Sequence, residues 1–103
     1  MSAALESPPA LEVTRLLHAL ADPVRLDVVR QLRSADEAIT CGHFETTVAK
    51  STLSHHLKIL REAGILTTER EGGRGSNTLC EGEIEAAFPG LLDAILPPGS
   101  TKT

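Results

Sequence analysis

The chain has 103 residues, of which 41% are hydrophobic, and its formal net charge is −4. This length suits one small domain and excludes a multidomain enzyme, while the hydrophobic fraction supplies one core and argues against a disordered chain. No apolar run approaches the roughly 20 residues of a membrane-spanning helix, and the first residues lack the pattern of a secretion signal. Two cysteines are too few for a disulfide scaffold, so we expect a cytoplasmic protein.

The charge is unevenly distributed along the chain. Residues 50–74 carry five basic residues against three acidic ones, for a net charge of +2, whereas residues 1–49 and 75–103 each sum to −3. An acidic protein is on average a poor ligand for nucleic acid, but a local basic segment is what such binding requires. A charge of +2 is equally typical of an ordinary solvated surface, so the elements that carry these residues decide between the two interpretations.

Two helices are predicted in the first third of the chain. Residues 1–9 are expected to form a flexible leader, the domain to span residues 10–97, and residues 98–103 to form a tail. Asp22 and Pro23 predict a helix start, because the carboxylate caps free N–H groups and proline lacks the donor that is unused there. Each helix has one apolar stripe, formed by Val13, Leu16, Leu17 and Leu20 in the first and by Val24, Val28, Val29 and Leu32 in the second.

The strongest predicted element lies in the middle of the chain. A short extended piece around Ile39 and a short helix over residues 41–48 precede it. Ser51 is the expected N-cap of the main helix, which spans residues 51–63 and ends at Gly64. Its buried stripe consists of Leu53, Leu57, Leu60 and Ala63.

A hairpin and a last helix follow. Residues 65–70 and 76–80 predict two strands joined by a glycine-rich reversal. Apolar residues then recur at a helical period from Ile84 to Ile95; the pair Pro89-Gly90 interrupts them, and we expect the last helix to start at Pro89. The predicted fold is mainly α with a small β component (α+β): four helices, a two-stranded wing and a C-terminal helix, the winged helix-turn-helix arrangement.

The helix over residues 51–63 has the side chains that a major-groove helix needs. Such a helix presents short donors and acceptors near its N-terminus and cations further along. Ser54 and His55 are the candidates for base contacts, and Arg74 at the wing is a candidate for contact with flanking DNA. The candidates for backbone contacts on or just before the helix are Lys50, Ser51, Thr52, Lys58 and Arg61. Taken separately, each element also fits a simpler interpretation. The helix could be an ordinary amphipathic surface helix, and the hairpin could be an ordinary turn with a solvated arginine.

Three segments together resemble the ArsR/SmtB family of bacterial repressors. They are LADPVRLDVVRQL over residues 20–32, STLSHHLKILREAGI over residues 51–65, and EREGGRGS over residues 69–76. The resemblance extends over residues 12–96 and implies a homodimer, assembled through the first and last helices, that represses transcription from an imperfect palindromic operator in double-stranded DNA. The residues predicted for the dimer interface are Leu16, Leu91, Leu92 and Ile95, although the last helix would also serve to cover its own core.

The chain contains a few residues that could sense a metal or an oxidant. Cys41 and His43 lie where thiolate sensors of the family carry a Cys-x-Cys motif, but a closed site needs three or four ligands, and residues 83–96 contain no histidine for the family's C-terminal site. Cys41 and Cys80 lack the basic neighbours that activate a thiol, so burial is the expected state of both. We therefore assign no metal site and no cofactor, and leave open whether a small molecule, a metal or an oxidant acts as inducer.

Two other function classes are considered. An enzyme is excluded, because the chain contains no nucleophile elbow, metal-hydrolase motif or phosphate-binding loop. A winged helix that binds protein instead of DNA is the alternative that the overall acidity favours. We expect no membrane association.

Overall fold

The structure is a computed structural model that describes residues 11–71 and 74–96, with the backbone alone at residues 71 and 74. The predicted leader over residues 1–9, the tail over residues 98–103, the tip Gly72-Gly73 and the side chain of Arg74 therefore lie outside the described residues. In the described ranges, no helix combines the length and the apolar character needed to cross a bilayer.

The first two helices pack against each other at the predicted positions. Helix α1 spans Val13–Leu20 and α2 spans Pro23–Ser34. Asp22 caps α2 as predicted, because its Oδ1 accepts hydrogen bonds from the backbone N–H groups of Val24 (2.8 Å) and Arg25 (3.1 Å). The predicted stripe of α1 is half wrong: Leu16 and Leu20 are buried, but Val13 and Leu17 are 48% and 47% exposed, and Ala19 takes their place in the core.

The segment after α2 is less regular than predicted. Strand β1 spans Ile39–Thr40, as the expected extended piece, but the helix predicted over residues 41–48 is wrong. A single 3-10 turn over Cys41–His43 replaces it. The chain that follows is held by Gln31, whose side-chain amide donates to the carbonyl of Glu45 and accepts from its N–H, at 2.8 and 2.9 Å. These side-chain bonds substitute for the backbone bonds of a helix.

Helix α3 spans Lys50–Glu62, one residue earlier at each end than the predicted 51–63, and Gly64 follows its C-cap Ala63. Gly64 has φ of +83°, the left-handed conformation that commonly follows a helix. The predicted N-cap is wrong. Ala49 occupies that position and makes no side-chain cap bond, while Ser51 lies inside the first turn. The four N–H groups at this helix start therefore have no intrahelical acceptor and no side-chain cap.

The wing belongs to a sheet of three strands instead of the predicted two. Strand β2 spans Leu66–Glu71 and β3 spans Arg74–Leu79, and they pair in the antiparallel register Leu66↔Leu79. The other edge of β3 pairs with β1, with Ile39 opposite Asn77. The sheet order is therefore β1-β3-β2.

The C-terminal region consists of two short helices that close the core. Helix α4 spans Glu81–Ala87 and α5 spans Leu91–Ile95, so the last helix starts two residues later than predicted. Gly90, with φ of +82°, occupies the turn between them. Arg33 of α2 forms ion pairs with Glu81 and Asp93, and these carboxylates, Asp93 foremost, raise the pKa of Arg33 above its usual value.

Both ends of the described chain contribute to one core. The two predicted interface residues Leu16 and Leu92 are 0% exposed in the single chain. We therefore correct their assignment: they are core residues and offer no surface to a partner, because a domain this small needs them to fill its own interior. Other apolar side chains with 2% exposure or less are Ala19, Val28, Val29, Leu60, Ile65, Leu66 and Ile84.

Candidate nucleic-acid interface

Helix α3 separates an apolar face from a polar one. Leu53, Leu57 and Leu60 are buried against the core, spaced as the 3.6-residue period requires. The predicted DNA-contacting residues of this helix are all exposed: Lys50, Ser51, Thr52, Ser54, His55, Lys58 and Arg61. Seven of the eight residues predicted to contact DNA are thus exposed on α3 and form its outward ridge, and the eighth, Arg74, has no described side chain.

The N-terminal part of this ridge favours negative charge. No acidic residue occupies the first turn of α3, and Lys50 is exposed at its first position. Free N–H groups and the helix dipole both attract an anion at such an end. Ser54 and His55, one turn in, provide short hydrogen-bonding groups.

The two cations further along the helix differ in how they are held. Lys58 Nζ lies 3.8 Å from Glu62 Oε2, and both side chains are more than 60% exposed, so this pair restrains the lysine little. Arg61 instead donates from Nη1 to Thr68 Oγ1 of β2 at 3.1 Å. The arginine therefore connects α3 to the sheet as well as facing solvent.

A chain of hydrogen bonds continues from Arg61 into the sheet. The Thr68 hydroxyl donates to Asn77 Oδ1 at 2.8 Å, and Asn77 Nδ2 donates to the carbonyl of Ile39 at 3.0 Å. Asn77 is 2% exposed. Sequence reasoning missed both Thr68 and Asn77; a polar Asn in an otherwise ordinary strand was the signal that would have found them, since buried amides are kept only with partners.

An arginine fixes α3 from its other side. Arg25, 8% exposed, donates from Nε to the carbonyl of Ala19 at 2.7 Å, and its Nη1 lies 3.1 Å from His56 Nδ1. Because arginine has only donors, His56 must accept at Nδ1. His56 is half-buried, whereas its neighbour His55 is exposed, which indicates a structural role for His56.

The cysteines have the environment of structural thiols. Both Cys41 and Cys80 are free and half-buried. Burial, and secondarily the carboxylate of Glu83, raises the pKa of the Cys80 thiol, which lowers its thiolate fraction and its reactivity. His43 Nδ1 contacts the Thr40 hydroxyl. Within residues 11–71 and 74–96, no group of three or more potential ligands is arranged to hold a metal ion.

A second exposed surface carries apolar side chains. Val13 and Leu17 of α1 are the large hydrophobic residues that the described part of the chain exposes most. Of the predicted interface residues, Leu91 and Ile95 are half-buried and retain some accessible surface.

Comparison with known proteins gives consistent results. A family model described as a helix-turn-helix domain matches residues 20–69. The chain is 30% identical over 83 residues to the uncharacterized HTH-type transcriptional regulator YceK of Bacillus subtilis, covering 79% of this chain and 83% of that protein. It is 40% identical over 70 residues to the HTH-type transcriptional repressor SmtB of Mycobacterium tuberculosis, covering 64% of this chain and 52% of that protein.

Solved structures agree with these matches. The crystal structure of the transcriptional repressor BigR from Xylella fastidiosa superposes with a TM-score of 0.64 at 30% identity, covering 82% of this chain and 87% of that one. The similarity therefore extends over most of the chain.

Proposed function

Because the chain belongs to the ArsR/SmtB family of winged helix-turn-helix DNA-binding transcriptional regulators, we propose that it is a homodimeric repressor that inserts α3 into the major groove. In this proposal the wing over residues 71–76 lies on the flanking DNA. The operator is an imperfect palindrome whose half-sites lie about one helical turn, ~34 Å, apart.

The observation that carries this proposal is the exposed ridge of α3. Its seven predicted residues face solvent while the leucines behind them are buried. A merely solvated helix needs no such arrangement of short polar groups in its N-terminal half, with one cation before them at Lys50 and two after them at Lys58 and Arg61. A helix that reads base edges and grips phosphates needs both.

We assign the roles by position. Ser54 and His55 contact base edges. Lys58, Arg61 and Arg74 contact the DNA backbone, together with the residues at the start of the helix, Lys50, Ser51 and Thr52. Phosphate contacts fix the register of the protein on the duplex, whereas base contacts determine sequence preference.

The homodimer is supported by the exposed apolar surface. Val13 and Leu17 of α1, with Leu91 and Ile95 of α5, are the side chains proposed for the interface. Repression is supported by two similar proteins, SmtB and BigR, which are both named transcriptional repressors. A protein with this function acts in the cytoplasm.

The test compares binding to the DNA upstream of the protein's own gene and to a scrambled duplex by fluorescence anisotropy. We expect Lys58→Ala to weaken binding to both duplexes similarly, and His55→Ala also to reduce the preference between them. For the wild type, the log–log slope of affinity against salt should be near −0.9 per phosphate neutralised. A winged helix that binds protein instead would show no salt-dependent binding to either duplex, and equal loss of preference in both variants would contradict the assigned roles.

A further inference from the structure

A cleft between α3 and the sheet is not explained by base reading alone. It has a volume of about 440 Å³ and is open to solvent. Three of its lining residues are basic and come from three different elements: Arg61 from α3, Arg70 from β2 and His43 from the 3-10 turn. Among the described residues that line it, none is a carboxylate, although the chain as a whole has a net charge of −4. Arg70 and His43 are not among the residues that the sequence predicts for the DNA interface.

The guanidinium of Arg61 is held in place by hydrogen bonds to the sheet. The guanidinium of Arg61 donates to Thr68, whose hydroxyl donates to Asn77, and the amide of Asn77 donates to the carbonyl of Ile39. In this series of hydrogen bonds, the Thr68 hydroxyl and the Asn77 amide each accept one hydrogen bond and donate another. A guanidinium held this way loses less conformational freedom when it binds an oxyanion.

We propose that this cleft binds one phosphate group, with Arg61 and Arg70 as donors, His43 at its rim, and Thr68 and Asn77 as positioning residues. A guanidinium presents parallel N–H groups that match two oxygens of a phosphate, and a pair of them in a concave site has the selectivity for that geometry which lone surface lysines lack. A phosphate of the DNA backbone and a free phosphate compound offer the same chemistry. The first of these sources rests on the proposed function; the second does not.

The first arm of the test uses duplex DNA and the full chain. Arg70→Ala should make the log–log slope of affinity against salt about 0.9 less steep, as expected for one lost phosphate contact. Arg15→Ala is the matched control, since Arg15 is an exposed arginine on α1 outside the cleft, and its slope should equal that of the wild type.

The second arm uses inorganic phosphate alone, followed by NMR of the backbone amides. Saturable shifts at Gly42 and Gly75, which line the cleft, are expected in the wild type and not in Arg70→Ala. If DNA binds, a change of slope identifies the backbone as the source; an unchanged slope with saturable phosphate shifts identifies a free phosphate compound. If the wild type binds no duplex, the proposed function fails while the phosphate titration still decides the cleft. The proposal is overturned if phosphate produces no saturable shift and, in addition, Arg70→Ala leaves the salt slope unchanged or the wild type binds no duplex.

The positioning role of Thr68 has its own readout. Thr68→Val removes the hydroxyl and keeps the shape, so we expect it to weaken phosphate or duplex binding about 3- to 10-fold, the worth of one hydrogen bond. Thr68→Ser keeps a hydroxyl and should restore binding. Equal binding by both variants would overturn the positioning role.

Discussion

Two buried polar side chains, Arg25 and Asn77, orient α3 through hydrogen bonds. Arg25 bonds His56 of α3 from the side of α1 and α2. Asn77 holds Thr68, and through it Arg61, from the side of the sheet. Within the described part of the chain, every buried side-chain nitrogen and oxygen has a hydrogen-bond partner. Because an unpaired buried group costs about 1–3 kcal/mol, such pairs hold the helix at a defined angle.

The Asp22 cap makes a prediction about stability and pH. The backbone N–H of Arg25 has the largest effect and lowers the pKa of Asp22 below its usual value of 3.8; burial opposes it, and the backbone N–H of Val24 lowers the pKa further. A carboxylate with a lowered folded pKa stabilises the fold above its unfolded pKa, and that stabilisation is lost as the pH falls through the folded value. We expect Asp22→Ala to lower the free energy of unfolding by about 1 kcal/mol at pH 7.

The measurement is urea unfolding of both proteins between pH 7 and pH 2.5. The difference between them should shrink below about pH 4. Asp36→Ala is the control, because Asp36 is exposed beyond the end of α2 and should change stability by less than about 0.5 kcal/mol. A difference that stays constant down to pH 2.5 would contradict the charged cap.

At the scale of elements, Gly64 determines where α3 ends and β2 begins. Its φ is +83°, and a Cβ built on it would approach Leu11 Cδ2 to 3.0 Å. We expect Gly64→Ala to destabilise the protein by about 1–2 kcal/mol, because an L-residue is strained in this conformation. Gly82→Ala is the matched control, since Gly82 lies within α4 with nothing within 4 Å of its Cβ position; it should be neutral or slightly stabilising. Thermal unfolding that ranks the two variants in the opposite order would refute this account.

The sequence predicted those elements whose signals are local. Asp22-Pro23 and Gly64 mark a helix start and a helix end by chemistry within a few residues, and both predictions are confirmed. The helix over residues 41–48 was wrong because Gln31, far along the chain, supplies the bonds that hold this segment. The place of the third strand in the sheet was missed for a similar reason: the extended piece around Ile39 was predicted, but Ile39–Thr40 become a strand only by pairing with β3.

The residues of the candidate site also differ in whether local sequence signals could predict them. The exposed ridge of α3 follows from helical periodicity alone, so its residues were predictable from sequence. The connection from Arg61 through Thr68 to Asn77 depends on the register of β2 against β3 and on the packing of α3 beside them. No periodicity within one element carries that information.

At the scale of the whole molecule, the exposed apolar residues of α1 predict self-association. Leu16 and Leu92 were predicted for this interface but lie in the core. Helical periodicity identifies the apolar stripe of a helix, but it does not show which residues of the stripe fill the core and which lie at its exposed margin. The margin is Val13 and Leu17, each nearly half exposed. Two large side chains at i and i+4 on one face form a surface that burial in a dimer would stabilise.

We expect Leu17→Glu to prevent the proposed dimer from forming and to weaken binding to the proposed operator, since two half-sites are then no longer bound together. Light scattering after size-exclusion chromatography gives the mass directly. Arg15→Glu, on the opposite side of α1, is the control and should leave the mass unchanged. A Leu17→Glu protein that keeps the wild-type mass would show that this surface is not the interface.

The central claim, that α3 reads the major groove, is tested most directly by methylation interference on the upstream DNA. Methylation of guanine N7 lies in the major groove, and that of adenine N3 in the minor groove. We predict two clusters of interfering guanine N7 positions about one helical turn apart, with His55→Ala losing interference at one or more guanines in each cluster. Binding that is insensitive to guanine N7 methylation, or interference confined to adenine N3, would contradict the account.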